Sequence, residues 1–194
     1  MLDEGSWRDT AARASEVLRK GGVALLPAEG VYGLHARAED PAAVERLLSM
    51  KPRQGKKGWI GLIADPGDAD RWAETGPRAA ALIRKHWPGA LTLVLPAKPA
   101  LPAPMRNDDG TIALRCPGSD FLRAVVRNAT GLVISTSANE PGAPPMLRPD
   151  GFPSEIVDLV VDQGPLSGTP STVVRIQTDG VTVLREGAVR IDAS

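Results

Sequence analysis

Hydrophobic positions along this chain switch between helical spacing and short continuous runs. Between residues 11 and 18 the apolar side chains recur on one helical face, and Gly21-Gly22 ends the predicted helix. Asp40-Pro41 is a capping residue followed by proline at the first helical position, which predicts a second helix through residue 50. Further helices are predicted over 68–74, over 77–86 and, capped by Ser119 or Asp120, through residue 129.

Short apolar runs bounded by glycine or proline indicate buried strands. These runs lie at 23–26, 59–64, 90–95, 111–115, 132–134, 159–161, 172–176 and 181–184. Asp179-Gly180 separates the last two and predicts a hairpin turn. Helices that alternate with strands predict one α/β domain over residues 1–194, built on a mixed sheet. The proline-rich segment 140–153 is predicted to form a wall of a site, because loops of that length are commonly functional.

Composition and charge narrow the class of protein. The 194 residues include 42% hydrophobic side chains, and 23 basic residues balance 23 acidic ones. Zero net charge does not favour bulk adsorption to nucleic acid or to an anionic membrane. The polar N-terminus lacks a signal-peptide pattern and no apolar run approaches the length of a membrane span, so a cytoplasmic protein is expected. The single cysteine, Cys116, excludes an internal disulfide and is expected to be a buried structural thiol.

The densest basic cluster is a candidate site for phosphate. Lys51-Pro-Arg53-Gln-Gly-Lys56-Lys57 has four cations and no acid, directly after the helix that begins at Pro41. It is either a solvated loop that complements the helix C-terminus or a clamp for a polyphosphate. No glycine-rich phosphate loop, dinucleotide fingerprint or zinc-protease motif is present, and the two histidines lack ligand-like spacing, so no metal site is expected.

Hydroxyl and guanidinium groups supply two further candidates. Ser135-Thr-Ser137-Ala-Asn139 follows a predicted strand, where it is either a capped turn or a site for phosphate and ribose oxygens. Arg115 ends another predicted strand, and Ser171 and Arg185 flank the last two strands. Each of these three residues alone is weak support for a site, because arginines at strand ends commonly reach into solvent.

The motifs together are more specific than any one of them. In chain order they read GVYGL, K-x-R, WPGALTLVLP, ALRCP, STSAN, PSTVV and LREG. This order resembles the YrdC family of threonylcarbamoyl-adenylate synthases over roughly residues 12–190. Within this family the chain resembles the short bacterial form, TsaC. The resemblance implies a single YrdC-like domain, with a twisted mixed sheet and helices around a deep electropositive cavity.

The resemblance also implies a reaction and a set of site residues. The reaction joins L-threonine, bicarbonate and ATP into threonylcarbamoyl-AMP and pyrophosphate, with Mg²⁺ delivered by ATP. The implied catalytic residues are Lys51 and Arg53. The implied nucleotide contacts are Lys51, Arg53, Lys57, Thr111, Ser137, Asn139 and Arg185. The implied threonine contacts are Gly30, Arg115, Ser135 and Ser171. Such chemistry needs charge neutralisation and positioning more than a protein nucleophile.

Implied partners lie downstream of the reaction. The product is expected to pass to a tRNA threonylcarbamoyl-transferase complex, and a weak RNA contact is implied as well. Two alternative functions stay open. In the first, the chain is a divergent paralogue whose substrate is another amino acid or a carbamoylated nucleoside. In the second, the chain is a module that binds double-stranded RNA or ribosomes.

One segment departs from the family pattern P-T-[DE]-T-x-Y-G-L-G. Here it reads Pro27-Ala-Glu-Gly-Val-Tyr-Gly-Leu-His35, so alanine and glycine replace both threonines and histidine replaces the last glycine. The backbone N–H of Gly30 is expected to remain available to the substrate, and His35 is expected to be structural filler. Discrimination by the substrate hydroxyl should be reduced, and Ala28→Thr with Gly30→Thr is expected to restore it.

Overall fold

The computed structural model describes residues 4–51, 59–140, 142–177 and 180–191. Within these ranges the α-helices are α1 (Glu4–Arg19), α2 (Pro41–Met50), α3 (Ala69–Trp72), α4 (Pro77–His86) and α5 (Asp120–Ala129). The strands are β1 (Ala24–Pro27), β2 (Tyr32–Arg37), β3 (Ile60–Leu62), β4 (Leu91–Pro96), β5 (Thr111–Arg115), β6 (Val133–Ser137), β7 (Leu159–Val160), β8 (Thr172–Ile176) and β9 (Val181–Arg185).

The strands form one mixed sheet in the order β7-β1-β2-β6-β3-β5-β4-β8-β9. Three neighbouring pairs are parallel, namely β1 with β7, β3 with β5 and β4 with β8, and the other pairs are antiparallel. The predicted α/β fold on a twisted mixed sheet is therefore confirmed. The prediction that residues 1–194 form a single domain stays a prediction.

The predicted caps fix the starts of two helices. The Asp40 carboxylate accepts hydrogen bonds from the backbone N–H groups of Ala42 and Ala43 at 3.0 and 3.1 Å, and Pro41 occupies the first helical turn. The Ser119 hydroxyl accepts one from the N–H of Leu122 at 3.3 Å. In both helices a side-chain oxygen satisfies N–H groups that have no partner within the helix.

Hydrophobic cores lie on both faces of the sheet. Ala24 and Leu26 pack with α1 and α5, whereas Leu25 between them belongs to a second cluster. Successive side chains of a strand point to opposite faces, so one buried strand supplies both cores. Cys116 is fully buried as predicted, and burial raises the pKa of its thiol to about 11.

Two strands differ from the prediction. Strand β2 was missed, although Tyr, Leu and Ala alternate with Gly, His and Arg in YGLHAR, because glycine and histidine are not typical of a strand that is nearly all buried. Strand β6 extends to Ser137, so Ser135 and Ser137 lie within the strand and not in a loop after it. Hydroxyl residues are tolerated there because β6 pairs with β2 on one side and β3 on the other.

His35 lies inside β2 and is completely buried. Its Nδ1 donates to the carbonyl of Gly33 at 3.0 Å. Burial lowers the pKa of His35 from its ordinary value of 6.5 to about 4, because the imidazolium would lose its hydration. The ring is therefore neutral at physiological pH.

This burial predicts an acid-sensitive contribution to stability. The unfolded chain gains a proton at His35 below pH 6.5, whereas the folded chain does so only near pH 4. The free energy of unfolding should therefore fall between these values, by about 3 kcal/mol at about 1.4 kcal/mol per pH unit. Urea unfolding of the parent protein and of His35→Gln at pH 7, 6, 5 and 4.5 measures the difference.

The second histidine supplies the control. His86 is half-buried at the end of α4. The His86→Gln variant should keep most of the decrease in the free energy of unfolding that the parent protein shows at acid pH. The prediction would be contradicted if the free energy of unfolding changed with pH equally in the parent protein and in His35→Gln.

Candidate active site

A cavity of about 370 Å³ lies over four adjacent strands of the sheet, β2, β6, β3 and β5. Seven of the residues implied by the sequence motifs line it: Lys51, Arg115, Ser135, Ser137, Asn139, Ser171 and Arg185. They come from chain positions up to 134 residues apart, and the strand order brings them together. The fold therefore gathers most of the predicted site into one volume.

Strand register places the hydroxyl groups of β6 at the floor of the cavity. Ser137 pairs with Gly33, and Ser135 lies between His35 of β2 and Ile60 of β3. A Cβ atom at Gly33 would lie 3.5 Å from the Ser135 hydroxyl and 2.9 Å from the backbone carbonyl of Thr136. The glycine therefore leaves space beside the Ser135 hydroxyl that a ligand can fill.

Among the residues that the structure describes, three cations face this volume. Lys51 follows the last turn of α2, and its ammonium donates to the backbone carbonyl of Asn139. Arg115 and Arg185 end β5 and β9. Burial, and secondly the nearby charge of Arg185, lower the pKa of Arg115 to about 10, and burial also lowers the pKa of Arg185. Arg115 stays protonated at pH 7, and a site with such cations suits phosphate and carboxylate groups.

Ser171 is held by groups on two neighbouring elements. Arg185 donates to its carbonyl at 2.8 and 3.1 Å and to its hydroxyl at 3.1 Å. The Thr92 hydroxyl of β4 lies 2.9 Å from the Ser171 hydroxyl. These contacts fix both Ser171 and the Arg185 guanidinium at one wall of the cavity.

Some predicted contacts lie outside the cavity. Thr111 is at the opposite end of β5 from Arg115, and its hydroxyl donates to Asp109 at 2.6 Å. Gly30 is buried behind the lining residues, and its N–H donates to the carbonyl of Ala28 at 3.1 Å. The expected free N–H of Gly30 is therefore already bonded. The predictions for Arg53 and Lys57 lie outside the described residues.

Sequence reasoning missed several residues at the site. It gave no role to Glu29, which forms an ion pair with Arg115, or to Thr92 and Gly89. Trp59 is buried and also lines the cavity. The acidic position of the family pattern, which Glu29 matches, was the signal that could have pointed to this residue.

Comparison with known proteins identifies the family. The family model described as Sua5_yciO_yrdC, telomere recombination, matches residues 16–187, which is most of the chain. The chain belongs to the Sua5/YciO/YrdC family. The resemblance predicted from the motifs is confirmed.

Relatives of the Sua5/YciO/YrdC family carry a named activity. The chain is 33% identical to threonylcarbamoyl-AMP synthase of Bacillus subtilis, over 97% of this chain and 57% of that protein. It is 37% identical to threonylcarbamoyl-AMP synthase of Alkalilimnicola ehrlichii, over 71% of this chain and 70% of that protein. The crystal structure of P. abyssi Sua5 complexed with L-threonine superposes with a TM-score of 0.85 at 28% identity, covering 93% of this chain and 54% of that one. The chain thus spans little more than half the length of two of these three proteins.

The described residues contain neither a membrane-spanning helix nor a cluster of metal ligands. No helix among them is both long and apolar enough to cross a membrane. No group of three or more His, Cys, Asp or Glu side chains in those ranges could hold a metal ion.

Gly30 packs directly against the chain segment that precedes Ser171. Its carbonyl accepts a hydrogen bond from the N–H of Gly168 at 2.8 Å, and a Cβ atom at Gly30 would overlap the carbonyl oxygen of Thr169. No threonine fits at position 30 unless that backbone moves. The expectation that Gly30→Thr restores the family site is therefore wrong for this backbone.

This contact predicts a cost for any side chain at position 30. Gly30→Ala should lower the free energy of unfolding by about 1–3 kcal/mol, because the overpacked atom is backbone and cannot rotate away. Chemical denaturation measures it. Gly67→Ala is the matched control, since a Cβ there has no neighbour within 4 Å, and it should change stability by about 0.5 kcal/mol or less. Equal stability of Gly30→Ala and the parent would contradict the close approach.

Proposed function

We propose that this chain makes threonylcarbamoyl-AMP and pyrophosphate from L-threonine, bicarbonate and Mg²⁺-bound ATP. The observation that carries the proposal is the convergence of Lys51, Arg115, Arg185 and the serine hydroxyls on one cavity. Two relatives at 33% and 37% identity, both named threonylcarbamoyl-AMP synthase, support the same reaction. The related Sua5 structure contains L-threonine, which supports threonine as the amino acid.

Each group of side chains suits one substrate. Arg115, Ser135 and Ser171 are buried, with 4–8% of each residue exposed, and are suited to the carboxylate and amine of threonine. Lys51, Ser137, Asn139 and Arg185 are suited to the ATP phosphates and ribose. Arg53 and Lys57 would add to the phosphate contacts from the segment after α2, whereas Thr111 lies outside the cavity and is given no role.

The reaction requires two bonds to form. The amine of threonine adds to dissolved CO₂ with loss of a proton, or to bicarbonate with loss of water, to give a carbamate. A carbamate oxygen then attacks the α-phosphorus of ATP, and pyrophosphate leaves with the electron pair of the broken P–O bond. Lys51 and Arg53 would act as the catalytic residues by neutralising the charge that develops on the phosphates.

The product is a reactive mixed anhydride, so a second protein must consume it promptly. We assign that step to a tRNA threonylcarbamoyl-transferase complex in the cytoplasm, with at most weak RNA contact by this chain. The zero net charge of the chain supports the assignment of tRNA binding to a second protein, because strong RNA binding normally requires an extended basic surface.

A second candidate is a paralogue that acts on another amino acid. Ala28 and Gly30 favour it, because neither offers the hydroxyl that the family pattern places at these positions. An RNA-binding role would instead appear as tight, salt-sensitive RNA binding without any turnover of ATP.

The clamp for ATP can be tested at Lys51. Lys51→Ala and Arg53→Ala should each weaken ATP binding by about 1.5–3 kcal/mol, because each removes a charge-assisted contact to phosphate. Calorimetry with Mg²⁺-ATP measures the change. Lys20→Ala is the control, since this lysine is 74% exposed on α1 and pairs with Glu16. Unchanged ATP affinity in both site variants would remove the clamp assignment.

Amino-acid selectivity tests the reaction and its substrate together. The protein is incubated with Mg²⁺-ATP, bicarbonate and L-threonine, L-serine or 2-aminobutyrate, and pyrophosphate release is followed. Threonine should support turnover, but its advantage over 2-aminobutyrate should be small, because positions 28 and 30 lack hydroxyls. No release with any amino acid would contradict the proposed function. A preference for threonine of roughly several thousandfold would show that another group recognises the hydroxyl.

A further inference from the structure

Arg115 carries its charge in a nearly closed environment. The residue is 6% exposed, and its Nε donates to the backbone carbonyl of Gly89 at 2.9 Å. Its Nη2 forms an ion pair with the carboxylate of Glu29. Both contacts lie on the Nε–Nη2 edge of the planar guanidinium. Nη1 makes no hydrogen bond to any residue that the structure describes, so the opposite end of the group is open to a ligand.

Glu29 has an unusual backbone for a residue with a side chain. Its φ is +71°, in the left-handed region that glycine and asparagine prefer. Such a conformation costs about 1–3 kcal/mol and persists only where surrounding contacts determine it. The turn between β1 and β2 therefore holds Glu29 in place despite the strain, with the carboxylate directed at Arg115.

The surrounding glycines leave room for the Glu29 carboxylate. A Cβ atom at Gly118 would lie 2.7 Å from Glu29 Oε1 and 3.5 Å from the Cα atom of Gly89. The N–H of Gly89 in turn donates to the carbonyl of Cys116 at 2.9 Å. Three chain segments thus converge on the pair. Glu29 is not among the described residues that line the cavity, so its contact with Arg115 lies outside the lined volume.

We propose that Glu29 is a positioning residue for Arg115. Its carboxylate and the Gly89 carbonyl fix one edge of the guanidinium, and the Nη1 end is thereby aimed at the carboxylate of the amino-acid substrate. A guanidinium binds a carboxylate through paired N–H groups of fixed geometry, so its orientation controls that contact. The inference rests on the proposed function, since it takes an amino acid as the ligand of Arg115.

In the alternative role, Glu29 occupies the part of Arg115 that would bind the substrate carboxylate, and the two carboxylates compete. Removing the acid would then strengthen threonine binding. Positioning predicts the opposite sign, because an unpaired guanidinium turns away from the productive orientation. The direction of the change in threonine affinity therefore separates the two roles.

Glu29→Gln and Glu29→Ala test the proposal, with calorimetric binding of L-threonine and of Mg²⁺-ATP as separate measurements. Glu29→Ala should weaken threonine binding about tenfold to a hundredfold, the size of effect that misplacement of a binding group produces. Glu29→Gln, which retains an acceptor for Nη2, should lose less. ATP affinity should stay within about twofold of the parent value in both variants, because the Arg115 contact belongs to the amino acid. Glu155→Ala, at an exposed position far from the pair in sequence, is the control.

Two further measurements separate positioning from general damage. The parent should prefer L-threonine to L-threoninamide, which lacks the carboxylate, and Glu29→Ala should lose most of that preference. Adding Glu29→Ala to Arg115→Ala should cause little extra loss, because Glu29 acts through Arg115. Parent-like threonine affinity in Glu29→Ala, or tighter binding, would overturn the proposal. A parent protein that binds no threonine, while ATP still binds, would overturn the proposed function instead.

Discussion

The cavity depends on keeping a charged guanidinium out of water. Arg115 ends a strand in the middle of the sheet and is 6% exposed, so its lost hydration must be replaced by protein groups. The replacement comes from a carbonyl in the α4–β4 connection and a carboxylate in the β1–β2 turn. Glycine at position 118 leaves room for the Glu29 carboxylate, and glycine at position 89 avoids the backbone carbonyl of His86. Arg115 thereby joins the β1–β2 turn to the connection that precedes β4, the strand beside its own.

A second cation, Arg185, is held by hydrogen bonds to neutral groups and not by an ion pair with an acid. Arg185 donates to the carbonyl and hydroxyl of Ser171, and the hydroxyl of Thr92 completes the group. Arg185 forms no ion pair with any residue that the structure describes, and its positive charge is directed to the same volume as Lys51. The contrast between Arg115, paired with an acid, and Arg185, held by neutral groups, gives the two walls of the cavity different electrostatic character.

The sequence predicted where helices begin more fully than it predicted which strands pair and which side chains meet at the site. Helices α2, α4 and α5 begin where proline or a capping side chain indicated, because the capping interaction is local. Strand β2 escaped prediction because glycine and histidine interrupt its apolar positions and because β6, its partner on one edge, is distant in sequence. Seven site residues followed from the family motifs, yet the partners of Arg115 and Ser171 did not, since Glu29, Gly89 and Thr92 become significant only after the sheet forms.

The contact between Gly30 and Thr169 links two segments that are 139 residues apart in the chain. With residues 168–170 in their present position, no side chain can be accommodated at position 30. A family member with threonine at position 30 must therefore route this segment farther from the turn, and Ser171 follows directly after it. The residue at position 30 and the length or composition of the 164–170 segment should accordingly change together during evolution. Grafting the threonine pattern onto this chain would require transplanting both segments as a unit.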